Sequence, residues 1–276
     1  MSSSPPPRPA ALRRFGQNHL VDTNTLLAIV AMAAVQPDDV VLEVGPAEGS
    51  LTERLVAQAA AVHAIEIDTR FAPALDSLTK AHANLRVRFG DALKMPLGEL
   101  APPPTALVAN LAYSIAIPLI MKSIAALPTV RRWAVMVQRE LGERLFAVPS
   151  TKPYSAVSVL VQLACERDAV RAVPRTVFSP QPRVDSLFVT FVRRDAGAGV
   201  PAPAEYATID KLVRCAFAQR RKLLVNSLTG AAHAGRTLAR DDVRHALVAL
   251  GLRPTTRPEE LSPRTFVDLA RELAWI

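Results

Sequence analysis

The segment VVLEVGPAEGSLT, residues Val40–Thr52, decides the fold class of this chain of 276 residues. Its first five residues are mostly β-branched, as in a short buried strand, and its last residues begin a helical pattern. Gly45 and Gly49 lie between the two patterns and indicate a tight turn. A strand that passes through a glycine turn into a helix is typical of α/β proteins with a largely parallel sheet.

The same alternation continues on both sides of this segment. Strands are predicted over residues 40–44, 62–67, 85–89, 106–109, 133–137 and 186–192, and helices over 22–35, 50–60, 71–83 and 115–126. After the Gly-, Pro- and Ala-rich stretch 195–204 the pattern becomes helical, over 207–228, 240–250 and 263–275, with no strand signal. We therefore predict a disordered tail at 1–11, an α/β domain at 12–195, a linker at 196–204 and a helical domain at 205–276.

Composition limits the class of function. Half of the residues are hydrophobic, the formal net charge is +8 and the pI is about 10.1, which together favour a polyanionic partner such as nucleic acid. No apolar run reaches the ~20 residues of a membrane span, and the polar N-terminus has no signal-peptide core. Cys165 and Cys215 are far apart and lie in no ligand cluster. We expect a cytoplasmic protein with reduced thiols and no metal.

Three successive predicted strands end in groups that can bind a ligand, the backbone amides of the glycine turn at Gly45 and the carboxylates of Glu66 and Asp91. Ligands of open α/β sheets bind at the carboxyl ends of the strands, where backbone amides, ribose hydroxyls and an adenine amine could be recognised. Each residue also has a structural interpretation. Glu43 could be a buried carboxylate bonded to turn amides, Asp91 could cap the next turn, and Glu66 could lie on the surface.

The stretch VANLAY, residues Val108–Tyr113, begins within the fourth predicted strand, residues 106–109, and continues past its end. Asn110 can both donate and accept hydrogen bonds, and Tyr113 supplies a flat ring, so the pair could hold a planar, amine-bearing base. Ala47 interrupts the GxGxxG spacing of dinucleotide sites, and nothing near Asn110 polarises a carbonyl for hydride transfer. A methyl donor is favoured over NAD, and an NAD-dependent oxidoreductase stays as a disfavoured alternative.

Eight ordered segments of the chain resemble the ribosomal RNA adenine dimethyltransferases, and they are closest to the bacterial small-subunit branch of that family. They are FGQNHLVD (15–22), LEVGPAEGSLT (42–52), IEID (65–68), GDAL (90–93), NLAY (110–113), VQRELGERLFAVPSTKPYSAVSVLVQ (137–162), VFSPQPRVDSLFV (177–189) and AFAQRRKLLVNSL (216–228). The resemblance implies a class I methyltransferase fold, a Rossmann-like sheet with a small helical C-terminal domain. It also implies that S-adenosylmethionine is the methyl donor, and that two adjacent adenosines near the 3′ end of small-subunit rRNA, naked or in an assembling subunit, are dimethylated.

The resemblance also assigns roles to individual residues. The cofactor pocket would be lined by Gln17, Asn18, Leu20, Gly45, Glu66, Asp91, Ala92 and Asn110. Asn110 and the carbonyl of Ala112 would accept hydrogen bonds from the target amine, and Tyr113 would stack on the extruded adenine. Independently of the resemblance, we expect these cations to bind RNA phosphates, although the QRRK stretch 219–222 could also be a solvated helix face: Arg139, Arg144, Lys152, Arg183, Arg220, Arg221 and Lys222. We expect the protein to act as a monomer.

Two positions depart from the family pattern. Ala112 stands where the motif has proline, and Ala47 where it has glycine, which alanine replaces without strain only if φ is negative there. These changes motivate an alternative, a non-catalytic RNA-binding factor of ribosome assembly on the same fold. A large-subunit rRNA methyltransferase of the macrolide-resistance type is a further alternative, although the segments 148–162 and 217–228 look more like the small-subunit enzyme.

Overall fold

The computed structural model describes residues 17–195, 197, 200–219 and 222–276. Residues up to Gly142 form one compact unit with Arg167–Arg193, here called the sheet unit. Glu143–Glu166 and Arg194–Ile276 form a second, the helical unit. The sequence predicted a single domain boundary, at the linker. In the structure residues 143–166 also belong to the helical unit, so the chain enters that unit twice. The predicted tail and linker residues 196, 198 and 199 lie outside the described residues.

The sheet unit contains a seven-stranded sheet in the order β4-β3-β2-β5-β6-β9-β7 within the described residues. Strands β2 to β6 are parallel, and β9 runs antiparallel to β6. The mostly parallel Rossmann-like sheet predicted from the sequence is confirmed. The strand bounds are β1 (His19–Leu20), β2 (Val40–Val44), β3 (Ala61–Glu66), β4 (Leu85–Phe89), β5 (Ala106–Asn110), β6 (Arg132–Gln138), β7 (Cys165–Val173), β8 (Phe178–Ser179) and β9 (Ser186–Arg193).

Helices pack against this sheet through apolar side chains. Ile29, Leu55 and Val108 are at most 2% exposed and belong to one core cluster, and each buried side chain of this kind contributes ~1.5–3 kcal/mol. Asp22 is the N-cap of the first helix, because its Oδ1 accepts from the Thr25 amide at 2.6 Å. The first helices along the chain are α1 (Thr23–Ala33), α2 (Thr52–Val56), α3 (Ala72–Ala81), α4 (Ala116–Ala126) and α5 (Arg139–Leu145), and the boundary between the units falls within α5, after Gly142.

Strand β7 is absent from the sequence-based prediction. It is the edge strand of the sheet, and six of its nine residues are exposed. Its sequence, CERDAVRAV, is charged, and charged side chains commonly protect a sheet edge from pairing with another chain. An edge strand of this kind lacks the apolar alternation by which strands are recognised.

The order of the strands fixes the location of a ligand site. Strand β2 pairs with β3 on one side and with β5 on the other. The order along the sheet therefore reverses between β2 and β5, and such a switch point leaves a crevice at the carboxyl ends of the strands. Gly45 follows β2 and Asn110 ends β5 at this crevice.

The helical unit contains α6 (Ala156–Ala164), α7 (Pro203–Phe217), α8 (Leu224–Leu228), α9 (Arg240–Ala249) and α10 (Pro263–Glu272). The single helix predicted over 207–228 is wrong. Leu223 is extended (φ −63°, ψ 147°), and α8 starts after it with Leu224, Val225 and Leu228 buried. The change of direction allows three apolar side chains on a five-residue helix to reach the core.

A short hairpin, β10 (Ala232–His233) paired with β11 (Arg236–Thr237), adds two strands to a segment in which the sequence showed no strand signal. Its central residues Ala234 and Gly235 both have positive φ, 49° and 79°, as in the two-residue turns of tight hairpins. The helical C-terminal region is otherwise confirmed. No helix among the described residues combines the length and apolarity of a membrane span.

Candidate active site

A cavity of about 350 Å³ opens at the carboxyl ends of β2, β3, β4 and β5, entirely within the sheet unit. This volume is in the range of small-molecule sites. All ten residues predicted to bind cofactor or to act in catalysis line it: Gln17, Asn18, Leu20, Gly45, Glu66, Asp91, Ala92, Asn110, Ala112 and Tyr113. The structure thus brings the predicted residues together around one space. Their roles stay proposals.

The glycine turn after β2 forms one wall. Gly45 has φ +78°, and its amide donates to the Ile65 carbonyl at 2.9 Å. Ala47 also has positive φ, +52°. The condition set from the sequence, a negative φ at Ala47, is therefore not met. A left-handed conformation costs a residue with a Cβ about 1–2 kcal/mol, so this turn is strained where the family has glycine.

Glu66 holds the turn from the neighbouring strand. Its side chain is 3% exposed, so the surface interpretation is wrong. Its Oε2 accepts from the Ala47 amide at 2.9 Å and its Oε1 from the Asp68 amide at 2.8 Å. Burial raises the pKa of Glu66, and the hydrogen bonds from backbone amides oppose this shift. Because each carboxylate oxygen has a second lone pair, Glu66 can still accept from ribose hydroxyls.

Glu43 is a pocket residue that the sequence singled out only as a structural carboxylate. It is 1% exposed, and burial raises its pKa to about 8. Among the described residues, its Oε2 accepts no hydrogen bond, so the interpretation that turn amides satisfy it fails for this oxygen. A buried carboxyl oxygen without a partner favours a ligand that brings hydrogen-bond donors, and a positively charged ligand would also favour loss of the carboxyl proton. S-adenosylmethionine, with its ammonium and sulfonium groups, fits this requirement.

The capping role weighed for Asp91 from the sequence is confirmed. Its Oδ1 accepts from the Leu93 amide at 2.9 Å, which caps the turn after β4. The residue also lines the cavity, next to Ala92, and its Oδ2 lies 4.0 Å from Lys94 Nζ. Recognition of an adenine amine by Asp91 stays a proposal.

The N-terminal segment 17–20 forms another wall and is tied down at several points. Strand β1 pairs with β8, and the Gln17 amide donates to Asp68 Oδ2 at 2.9 Å. His19 Nδ1 lies 3.4 Å from Glu48 Oε2. Sequence reasoning did not single out His19 or Glu48, although His19 lies inside the FGQNHLVD segment. Nothing in their spacing showed that the two side chains meet.

The segment 110–113 presents hydrogen-bonding groups to the cavity. Asn110 donates through Nδ2 to the backbone carbonyl of Asn18 at 3.0 Å. The Ala112 carbonyl accepts from the Ile115 amide at 3.1 Å and keeps a second lone pair. Tyr113 is partly buried, which raises its pKa, and its hydroxyl lies 3.0 Å from Ser186 Oγ. Ser186 was missed from the sequence because only the tertiary structure brings β9 beside Tyr113.

The predicted RNA-binding residues fall into two groups. Arg139 and Arg183 are exposed in the sheet unit, and Arg139 forms an ion pair with Asp185, Nη2 to Oδ2 3.7 Å. Arg144, Lys152 and Lys222 belong to the helical unit, where Lys152 and Lys222 are exposed. Arg220 and Arg221 lie outside the described residues. In the described part of the chain no cluster of metal-ligating side chains occurs.

The fold and the site define a class of protein. A mostly parallel seven-stranded sheet, a glycine turn at its switch point and polar residues at successive strand ends are typical of class I methyltransferases with a Rossmann-like fold. Residues 10–254 match the family model described as ribosomal RNA adenine dimethylase, and the chain belongs to that family. It is therefore a methyltransferase that uses S-adenosylmethionine, and the NAD-dependent alternative is wrong.

Individual relatives agree with this assignment. Ribosomal RNA small subunit methyltransferase A of Rubrobacter xylanophilus is 41% identical over 97% of this chain and 96% of its own. The same enzyme of Geobacillus kaustophilus is 38% identical over 95% and 90%. Among solved structures, a dimethyladenosine transferase from Plasmodium falciparum has a TM-score of 0.77 at 27% identity, covering 93% of this chain and 98% of its own. The 23S rRNA methyltransferase ErmE has a TM-score of 0.69 at 27% identity, covering 93% and 100%.

Proposed function

We propose that this enzyme transfers methyl groups to two adjacent adenosines near the 3′ end of small-subunit rRNA. The observation that carries the chemistry is the orientation of Asn110. Its Nδ2 is used by the Asn18 carbonyl, and Oδ1 accepts no hydrogen bond from the described residues. The pocket therefore presents an acceptor, which is what an adenine amine requires.

Asn110 and Ala112 would hold the target nitrogen between them. Oδ1 of Asn110 accepts one amine hydrogen, and the second lone pair of the Ala112 carbonyl accepts the other. S-adenosylmethionine supplies an electrophilic methyl group. Two acceptors fix the direction of the nitrogen lone pair, and positioning of this kind can lower a barrier by ~7–11 kcal/mol at best. The nitrogen can lose its proton after the transfer, so no general base is needed before it.

Tyr113 would hold the plane of the base. Its ring stands at the cavity wall, fixed at its far end by Ser186. An adenine must leave its helix to reach this position, and stacking on an aromatic ring contributes about 1–3 kcal/mol per base. A ring that is already held loses little side-chain entropy when the base arrives.

Cations at the Tyr113 side of the pocket support an RNA substrate. The Arg139 amide donates to the Asp185 carbonyl at 3.0 Å, and Asp185 precedes Ser186. Arg139, Arg183 and the exposed lysines of the helical unit would neutralise phosphates, as would Arg220 and Arg221. Replacing Arg220 and Arg221 by alanine, and separately Arg139 and Arg183, should flatten the salt dependence of RNA binding by about 0.7–0.9 per lost phosphate contact. An unchanged slope would remove that pair from the interface.

The small subunit is favoured over the large one by the relatives of 36–41% identity, which are named small-subunit methyltransferases. The likeness to ErmE keeps the large-subunit enzyme as a second candidate. We further propose that the enzyme acts as a monomer. Because bacterial ribosomal subunits assemble in the cytoplasm, this substrate also puts the proposed reaction there.

The test uses small and large ribosomal subunits from cells that lack this gene. Purified enzyme and S-adenosylmethionine are added, and nucleosides from each rRNA are measured by mass spectrometry. Dimethyladenosine in the small-subunit rRNA alone is the expected result, with no product from an Asn110→Ala variant. Product in the large-subunit rRNA would support the second candidate. Binding of the subunit and of S-adenosylhomocysteine without any methyl transfer would support the assembly-factor alternative.

A further inference from the structure

Lys122, on helix α4, is outside every motif that the sequence singled out, yet it contacts the loop that carries Asp91. Its Nζ lies 3.2 Å from the Ala92 carbonyl oxygen, 2.7 Å from that of Leu93 and 2.6 Å from that of Met95. The side chain is partly buried. All three donors of the ammonium group can therefore be used on one short loop.

The hydrogen bonds of this loop are divided between two residues. Asp91 accepts hydrogen bonds from the backbone amides of the loop. Its Oδ1 accepts from Leu93, and its backbone carbonyl accepts from Lys94 and Met95 at 2.9 and 3.0 Å. The ammonium group of Lys122 donates to backbone carbonyls of the same loop. Without the ammonium group, three carbonyls would lose a charged partner, and a loop without that partner can change shape.

Helix α4 starts directly after the segment that holds the target base, and it returns to the loop at Lys122. Asp91 and Ala92, on this loop, line the cavity. We infer that Lys122 is a positioning residue that shapes the 91–95 loop and so sets the preference of the pocket for adenine at the nucleobase end of the cofactor. This inference rests on the proposed function, with Asp91 at the adenine amine.

The experiment measures nucleobase selectivity by calorimetry. The probes are S-adenosylhomocysteine and S-inosylhomocysteine, in which a carbonyl oxygen replaces the adenine amine. Lys122→Met removes the ammonium and keeps the length of the side chain, and Lys122→Arg restores a cation. Lys80→Met is the matched control, because Lys80 is an exposed lysine in the last turn of α3, outside the 91–95 loop.

We expect Lys122→Met to bind S-adenosylhomocysteine roughly tenfold or more weakly, with a smaller ratio between the two ligands. The KM for S-adenosylmethionine should rise while kcat changes by less than about threefold. Lys122→Arg should recover part of the ratio, and Lys80→Met should match the wild type. A purely structural residue would lower the melting temperature and leave the ratio unchanged, and that result would overturn the inference.

Two further experimental outcomes also have a defined meaning for the inference. If Lys122→Met does not fold, Lys122→Gln, which keeps two N–H donors, should fold and show a smaller loss of selectivity, and an unchanged ratio in that variant would overturn the inference. If the wild type binds both ligands equally, the assignment of Asp91 to the adenine amine fails, and if it does not bind S-adenosylhomocysteine at all, the proposed cofactor pocket fails. The two failures are therefore distinguishable.

Discussion

The side chain of Asn110 donates a hydrogen bond to the backbone carbonyl of Asn18, with an Nδ2···O distance of 3.0 Å, across 92 residues of sequence. A carbonyl accepts only from a donor, so this contact decides which end of the amide faces the pocket. The N-terminal segment thus sets the chemistry of the catalytic residue as well as covering the cavity.

Asn110→Asp should test this orientation. The two side chains have the same shape, but a carboxylate cannot donate to the Asn18 carbonyl and would be repelled by it. We expect methyl transfer to fall by about 10- to 100-fold, corresponding to the ~1.5–3 kcal/mol of a charged hydrogen-bond partner gained or lost. The measurement is kcat/KM on small subunits, with the melting temperature as a check of folding. Activity within twofold of the wild type would show that the Asn18 contact has no influence.

Two substitutions at Tyr113 should separate the contribution of ring stacking from that of the hydroxyl hydrogen bond. Tyr113→Phe keeps the ring and loses only the contact with Ser186, so kcat/KM should stay within about threefold. Tyr113→Ala removes the ring, and the loss should be about 5- to 150-fold, from the ~1–3 kcal/mol of base stacking. Equal losses in the two variants would indicate that the hydroxyl, not the ring, is the functional group.

Ala112→Pro should leave activity intact or raise it. The carbonyl that accepts from Ile115 is kept by proline, and a fixed φ removes up to ~1 kcal/mol of unfolded-chain entropy. Methyl transfer and thermal unfolding are measured on the same preparation. A large loss of activity in a folded variant would refute the turn geometry assigned to this segment.

Ala47→Gly should stabilise the protein. Glycine removes the strain of a left-handed alanine at φ +52°, which raises the free energy of unfolding by about 1–2 kcal/mol. The greater backbone freedom of glycine in the unfolded chain lowers it by ~0.5–1 kcal/mol. The net gain, between about 0 and about 1.5 kcal/mol, is read from urea unfolding. Ala57→Gly is the control, because Ala57 is exposed and has φ −75°. It should be neutral or destabilising, and an equal loss in both variants would argue against strain at Ala47.

Glu43 should make stability depend on pH. Its pKa rises from an ordinary 4.5 to about 8 on folding, so the folded state keeps a proton that the unfolded chain has lost. Its contribution is present in full below about pH 4.5 and is lost as the pH rises towards 8, with a slope of up to ~1.4 kcal/mol per pH unit. Unfolding free energies of the wild type and Glu43→Gln are compared at about pH 5.5 and 7.5.

The wild type should lose stability relative to Glu43→Gln at the higher pH. Burial raises the pKa of Glu66 in the same direction, but Glu66 is present in both proteins, so the difference between them reports on Glu43. The same difference at both pH values would mean that Glu43 is ionised in the folded protein.

Much of the site was accessible from the sequence because it is local. Gly45, Glu66, Asp91 and Asn110 each follow or end a strand, and parallel strands bring their carboxyl ends to one edge. The sequence did not reveal the hydrogen bond between Tyr113 and Ser186 or those from Lys122 to the 91–95 loop. They join segments whose distance in sequence carries no information about contact, through common residue types that have no periodic signal.

The sequence by itself determined the α/β class, the polar strand ends and the family, because hydrophobic periodicity, glycine turns and ordered motifs are properties of neighbouring residues. Only the tertiary structure decided the positive φ of Ala47, the lack of a partner for Glu43 Oε2 among the described residues and the orientation of the Asn110 amide. Backbone conformation at a turn and the partner of a buried polar atom depend on what packs against them, and that is fixed only when distant segments meet.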